Sequence, residues 1–185
     1  MSTAYKTMKD FWLDVKNLQH KREVPQLGEQ KICVAGVEMA AEDHKGKIKN
    51  LMIAASSLGN ASVYFENNSP SGIGGFTGGA AQGAVQEKAK LMMQEASLVA
   101  GQLQQVDALP VQQDPEHVTL FTVSADGQIR AQDLYGTEAR NPEHPFYAFF
   151  AYSQQLLGAF REEQEAAQAD KPSKPGASHT SENEI

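Results

Sequence analysis

A glycine-rich segment lies before the longest helical pattern in the sequence, and it contains the residues that could bind a ligand. The candidate ligand-binding residues are Gly72, Gly74, Gly75 and Gly78. A glycine-rich loop between a strand and a helix can direct backbone N–H groups at a phosphate. Residues 72–79 could therefore bind a nucleotide or another small ligand. The spacing G-x-G-x-x-x-G differs from the dinucleotide fingerprint, and no Lys-Ser/Thr pair follows it as in a Walker A loop.

A second interpretation places these glycines on a helix. Gly75, Gly79 and Gly83 are four residues apart, so a helix that began early would carry them as a bare strip, where another helix could approach closely. Apolar residues then recur in alternating steps of four and three, which is typical of one helix face. We predict that this face packs either on the protein's own sheet or on a second copy in a homodimer. Its remaining partner-contact candidates are Val85, Ala89, Met92, Ala96 and Val99.

The other reactive residue types form no catalytic or metal-binding pattern. The five histidines lie far apart in the sequence, without H-x-x-x-H spacing. Cys33 is the one cysteine and lies in an apolar run, which is typical of a small buried hydrophobe. The serines lack a G-x-S-x-G motif. We therefore expect no catalytic residue, no metal and no cofactor, and a protein that is not an enzyme.

The charge is acidic and unevenly distributed. The net charge is −7, and residues 101–170 carry three basic against eleven acidic residues. An acidic surface repels phosphate backbones, so we expect no nucleic-acid partner. We find no stretch apolar enough to insert stably in a membrane and no signal peptide at the N-terminus. A single cysteine fits a reducing compartment, and we expect a cytoplasmic location.

The periodic segments predict an α+β fold with the order α-βββ-α-ββ-α and a mainly antiparallel sheet. A long central helix and the terminal helices pack on that sheet. Asp126-Gly127 is a hairpin signal, and the segment around residues 47–55 fits a strand better than a helix. We expect residues 1–169 to form a single domain and residues 170–185 to be a disordered polar tail. The predicted elements are helix 4–20, strands 31–39, 47–55 and 61–66, the central helix to residue 109, strands 118–123 and 128–135, and a final helix to residue 168.

The first helix is amphipathic, and the pattern assigns its charged residues, Lys9 among them, to the side away from the apolar face. We expect the apolar face of this helix to pack on the core or, as an alternative, to lie on a membrane surface. Ser2 or Thr3 could cap the helix. The apolar residues are Met8, Phe11, Trp12, Val15 and Leu18.

This order of elements, in a small acidic protein, resembles the class I type III secretion chaperones. The residues behind the resemblance are the apolar helix face between Val85 and Val106, the Asp126-Gly127 hairpin, and the aromatic stripe between Phe146 and Phe160. The resemblance implies a homodimer with the middle helix at its interface, and a partner protein wrapped around the surface.

Three hypotheses for the function follow. The leading one is a non-enzymatic protein-binding adaptor that is secretion-chaperone-like or of the immunity type, which neutralises a toxin. The alternatives are a small-ligand or nucleotide-binding domain that uses residues 72–79, and a structural or membrane-peripheral protein.

Overall fold

The computed structural model describes residues 2–19, 27–67, 73–78 and 83–169. It confirms the α+β fold class, with helices on both faces of an antiparallel sheet. The predicted disordered tail, residues 170–185, lies outside the described residues, as do Gly72 and Gly79. The elements are α1 Thr3–Leu13, α2 Val15–Gln19, β1 Ile32–Glu42, β2 Ile48–Ser56, β3 Ala61–Glu66, β4 Ile73–Gly78, α3 Ala84–Val99, a 3₁₀ turn Ala100–Gln102, β5 Gln104–Val106, β6 His117–Ser124, β7 Ile129–Tyr135, α4 Gly136–Ala139 and α5 Tyr147–Ala169.

The seven strands form one sheet in the order β4-β3-β2-β1-β6-β7-β5. Every pair of neighbouring strands is antiparallel. Strands β1 to β4 follow one another as a meander, and α3 then carries the chain to the opposite edge. The predicted order of three plus two strands was incomplete, because β4 lies in the glycine-rich segment and β5 lies in a stretch that was predicted to be helical. The central helix was predicted to continue to residue 109, but α3 ends at Val99. The strand predicted near residues 47–55 is confirmed as β2.

The predicted hairpin at Asp126-Gly127 joins β6 to β7. Gly127 has a φ of 84°, which a residue without a Cβ adopts readily. Its N–H donates to the carbonyl of Ser124 at 2.9 Å. The Asp126 carboxylate accepts hydrogen bonds from the Ser124 hydroxyl and the Gln128 N–H, which lower the pKa of Asp126. The local sequence therefore determines this turn.

Two hydrophobic clusters lie on opposite faces of the sheet. The larger one joins the sheet to α3 and α5, and it contains the predicted stripe of the last helix. The smaller one joins the other face to α1. The result is three layers, with α1 on one side and α3 with α5 on the other. None of the helices within the described ranges is long and apolar enough to cross a bilayer.

The predicted first helix is divided at Asp14 into α1 and α2. Ser2 is the N-cap of α1, and its side chain accepts a hydrogen bond from the Tyr5 N–H at 3.2 Å, which confirms one of the two expected caps. The buried residues of α1 are Tyr5, Lys9 and Trp12, whereas Phe11 is 41% exposed. The buried face therefore differs from the predicted one, which included Phe11 and left Lys9 out.

Two glycines provide a matched test of this packing. A Cβ at Gly36 would lie 2.1 Å from the Phe121 ring and 2.9 Å from the Ile53 carbonyl oxygen. A Cβ at Gly158, on α5, would meet nothing within 4 Å. We expect Gly36→Ala to lower the free energy of unfolding by about 1–3 kcal/mol through overpacking. We expect Gly158→Ala to raise it by about 0.5–1 kcal/mol, since alanine favours a helix. Urea unfolding measures both changes, and an equal effect of the two substitutions would contradict the strand packing described above.

Candidate functional site

Within residues 73–78, the part that the structure describes, the glycine-rich segment forms a strand and not the loop that the ligand hypothesis required. Gly74, Gly75 and Gly78 lie in β4, which pairs with β3 along its whole length. Because β4 is an extended strand, its N–H groups do not converge on one anion as they would in a phosphate-binding loop. A Cβ at Gly74 would lie 2.5 Å from the Phe65 ring, so the close approach of that ring explains why glycine is needed there.

The predicted glycine strip on a helix is also corrected. Helix α3 begins at Ala84, with Gly83 as its N-cap, so Gly75 and Gly83 do not share a helix. Gly83 has a φ of 109°, which strains any residue with a side chain. The apolar face of α3 is buried in the cluster with the sheet and α5, which corresponds to the interpretation in which the helix packs on its own chain. The five predicted contact residues in this face are Val85, Ala89, Met92, Ala96 and Val99.

A buried ion pair fixes α1 on the opposite face of the sheet. The Lys9 ammonium lies 2.6 Å from the Glu38 carboxylate, and both side chains are almost completely buried. The Tyr5 hydroxyl donates to the same carboxylate at 3.1 Å. Lys9 also donates to the backbone carbonyl of Pro110 at 2.9 Å. One ammonium therefore connects α1, β1 and the segment between β5 and β6.

The ionisation of this cluster is dominated by burial. Burial raises the pKa of the Glu38 carboxyl, and the Lys9 charge together with hydrogen bonds from Lys9, Tyr5 and the Gln112 backbone opposes that rise in part. Burial and the neighbouring Glu38 charge raise the pKa of Tyr5 far above its usual range. The Tyr5 hydroxyl therefore keeps its proton and acts as a hydrogen-bond donor.

The sequence pattern did not predict this cluster, because Lys9 falls among the charged residues assigned to the polar side of the first helix. Tyr5, Lys9 and Trp12 follow the same four-and-three spacing as an apolar face. A second signal was Glu38, a lone carboxylate inside the otherwise apolar run of β1. A carboxylate at that position, 0% exposed, requires a cation or several donors.

Gln112 links the buried pair to a second polar cluster near the surface. Its backbone N–H hydrogen-bonds to Glu38, and its side-chain amide donates to the Asp133 carboxylate at 2.7 Å. The Thr119 hydroxyl also donates to Asp133, at 3.1 Å. Thr119 lies opposite Glu38 in the β1–β6 register, so both side chains are on the face covered by α1. The network crosses from β1 through β6 to β7.

His117 is the outer end of this network. Its Nδ1 lies 2.6 Å from the Asp133 carboxylate, and its ring lies 4.2 Å from the ring of Tyr135, centroid to centroid. The hydrogen bond to Asp133 raises the pKa of His117, with smaller contributions from the charges of Asp133, Asp114 and Glu116. A surface cleft of about 420 Å³ lies beside it, lined in part by Tyr135 and Arg140.

The inner end of the network opens onto a groove of about 410 Å³ beside α1. We call this the α1 groove. One side is α1, and the other is the segment of residues 107–111 between β5 and β6. Lys9 contributes to its lining and bonds to the carbonyl of Pro110 in that segment, so the two sides are tied together. The lining residues are Lys6, Lys9, Asp10, Leu13, Asp14, Asp107, Ala108, Leu109, Val111 and Ile129.

The remaining candidate residues lie apart from one another. Cys33 is buried, and burial raises the pKa of its thiol, which disfavours the reactive thiolate. Within the part of the chain that the structure describes, no three His, Cys, Asp or Glu side chains are arranged to hold a metal ion. Trp12 is 3% exposed against the sheet, so the membrane-surface interpretation of the first helix lacks its principal anchor.

Comparison with known proteins identifies no family, since no family model and no curated protein matches the chain.

The buried pair leads to a stability prediction. Lys9→Met leaves Glu38 buried without its cation, so we expect the free energy of unfolding to fall by about 3–5 kcal/mol. Lys6→Met on the same helix removes an exposed pair with Asp10 and should cost less than about 0.5 kcal/mol. The double variant Lys9→Met/Glu38→Met should be more stable than Lys9→Met alone, because it no longer buries an unpaired carboxylate. Urea unfolding of the four proteins measures these differences, and equal costs for the two single lysine variants would contradict the assignment.

The His117–Asp133 contact leads to a pH prediction. Because the pKa of His117 is raised in the folded state above the usual 6.5, the contact stabilises the fold fully below about pH 6.5. This contribution is lost as the pH rises through the raised pKa. A proton NMR titration of the His117 ring should show that Asp133→Asn lowers the pKa clearly. Asp114→Asn should lower it less, because Asp114 lies 3.9 Å from the ring. A larger effect from Asp114→Asn would contradict the geometry.

Proposed function

We propose that this protein is a non-enzymatic adaptor that binds another protein and self-associates as a homodimer. Both a secretion-chaperone-like role and an immunity-type role agree with this proposal. A cytoplasmic location agrees with it as well. The proposal of binding without catalysis rests on the sequence, in which no catalytic motif accompanies the reactive residue types. The observation that carries the proposal of protein binding is the α1 groove.

The α1 groove combines apolar surface with an acidic rim. Apolar side chains contribute much of its surface, namely Leu13, Leu109, Val111 and Ile129. Asp10, Asp14 and Asp107 are exposed residues of the same lining, which we call its rim, and of these Asp10 is paired with Lys6 at 2.6 Å. Apolar side chains at the centre and polar groups around them are the usual arrangement of a protein-binding surface.

The charges of the rim indicate which partner fits. Asp14 and Asp107 are exposed, and in the region that the structure describes neither forms an ion pair with a lysine, arginine or histidine. A lysine or arginine on the partner would pair with them, while an adjacent apolar side chain would enter the groove. We therefore propose that the partner presents an apolar residue beside a basic one.

The groove is organised before a partner binds. The Lys9 ammonium bonds at once to Glu38 in the sheet and to the Pro110 carbonyl beside the groove. This arrangement limits separation of α1 from residues 107–111. A surface that is already ordered loses less conformational entropy on binding, which increases the affinity for a given contact area.

Reversal of the rim charges tests the proposal. The full chain, tagged, is purified from its native host as wild type, as Asp14→Lys/Asp107→Lys, and as the control Glu143→Lys/Glu162→Lys. The control makes the same change in net charge at exposed residues outside the groove. We expect at least one protein to co-purify with the wild type and the control and to fall about tenfold or more with the groove variant. Quantitative mass spectrometry measures this.

Two outcomes would contradict the proposal. One is that no protein co-purifies with the wild type above background. The other is that the same proteins are recovered equally with all three forms, since their binding would then not depend on the groove. Circular dichroism and thermal unfolding of the variants verify that the charge changes leave the fold intact.

A further inference from the structure

Two further clefts continue the α1 groove along one end of the sheet. The first, which we call the hairpin cleft, has a volume of about 360 Å³ and is lined by residues 105–107 and 126–129. The second, which we call the Lys31 cleft, has a volume of about 420 Å³ and is lined by residues 29–31, 124–126 and 128. All of these lining residues belong to the ranges that the structure describes.

Shared lining residues join the α1 groove and the two clefts. Asp107 and Ile129 line both the α1 groove and the hairpin cleft. Asp126 and Gln128 line both the hairpin cleft and the Lys31 cleft. A residue that lines two clefts lies at their boundary, so the groove and the two clefts follow one another as a continuous surface. We call this surface the track.

The strands show how long the track is. Its outer part crosses the ends of β5, β7, β6 and β1, which are neighbours in this order. Val106 lies opposite Ile129 at this end of the sheet. Ile32, which follows Lys31, lies opposite Ser124 at the same end. Three strand spacings of about 4.8 Å give roughly 14 Å, which an extended chain spans with about four residues at about 3.3 Å each.

We propose that the partner binds through an extended segment of at least about six residues, which places its apolar side chain in the α1 groove and continues through the hairpin cleft to the Lys31 cleft. About four of these residues cross the strand ends, and the apolar residue with its basic neighbour adds two. This inference rests on the proposed function, because it takes the α1 groove as the place where the partner docks. It specifies the conformation and the length of the part of the partner that binds.

Polar side chains along the track fit a chain in the extended conformation. An extended segment leaves its own N–H and C=O groups without partners, whereas a helix satisfies most of them internally. The side-chain amides of Gln105 in the hairpin cleft and Gln30 in the Lys31 cleft each carry a donor and an acceptor. These amides can therefore hydrogen-bond to the backbone of the segment whatever its sequence is.

The charges along the track indicate that the segment is basic. Asp14 and Asp107 at the rim of the α1 groove are followed by Asp126 and then by Glu29 in the Lys31 cleft. Lys31 opposes these four carboxylates with a single positive charge. Complementary charges favour association, so we expect further lysine or arginine residues beyond the one next to the apolar side chain.

Peptides enriched from a random library on the immobilised full chain provide the probe. The library peptides have about twelve residues, which is longer than the track. In NMR spectra of the full chain, we expect a saturating enriched peptide to shift the backbone amides of residues 108–111 beside the groove, of residues 126–129 and of residues 29–31. A peptide shortened to about four residues around the apolar and basic pair should shift residues 108–111 alone, because it is too short to reach the outer clefts.

Asp126→Asn tests the hairpin cleft without loss of the turn. The Asp126 carboxylate accepts hydrogen bonds from the Ser124 hydroxyl and the Gln128 N–H. The side-chain oxygen of asparagine can accept the same bonds, and Asn-Gly favours the same tight turn. We expect Asp126→Asn to raise the dissociation constant of the full-length peptide about threefold or more and to leave that of the shortened peptide unchanged. Fluorescence polarisation measures both constants.

Asp43→Asn is the matched control. Its carboxylate also accepts backbone hydrogen bonds, from Lys45 and Lys47, but it lies in the β1–β2 turn at the other end of the sheet. We expect it to leave both dissociation constants unchanged, since it removes the same charge outside the track.

The outcomes separate this inference from the groove proposal. Shifts at residues 108–111 without shifts at residues 126–129 and 29–31 would overturn the extended segment and leave the groove proposal intact. The same conclusion follows if the shortened peptide binds as tightly as the full-length one, or if Asp126→Asn and Asp43→Asn have equal effects. If no enriched peptide shifts residues 108–111, the groove proposal fails and this inference fails with it.

Discussion

The arrangement of this protein depends on one buried ion pair between Lys9 and Glu38. The carboxylate lies on a central strand with no exposure to solvent, and it would be strongly unfavourable there without a cation. Lys9 provides that cation only when α1 lies across the sheet. At the start of the same helix, Glu66 accepts hydrogen bonds from the Ser2 and Asn50 N–H groups. Two carboxylates on the sheet therefore determine where α1 lies.

The same pair connects the interior to two surface features. Through Pro110, Lys9 holds the segment beside α1 and shapes the α1 groove. Through the Gln112 backbone and side chain, Glu38 is joined to Asp133 and hence to His117.

The sequence predicted the fold class and most of the elements, because they depend on local signals. Asp126-Gly127 determines a hairpin, and the aromatic stripe from Phe146 onward identifies the last helix. The sequence did not reveal β4, because two glycines next to Phe76 resemble a loop until Phe65 covers one of them. It also missed Lys9, since hydrophobic periodicity cannot show that a lysine is buried opposite a carboxylate 29 residues later in the chain. The α1 groove depends on the contacts of Lys9 with Glu38 and with the Pro110 carbonyl, which the spacing of residues in the sequence does not show.

We have proposed that the α1 groove binds an apolar side chain next to a basic one. Its most direct test is a selection from a library of random peptides on the immobilised full chain, followed by binding measurements with Asp14→Lys/Asp107→Lys. We expect the enriched peptides to carry an apolar residue beside lysine or arginine, and we expect the variant to bind them about tenfold or more weakly. Enrichment of acidic peptides, or equal binding to the variant, would contradict it.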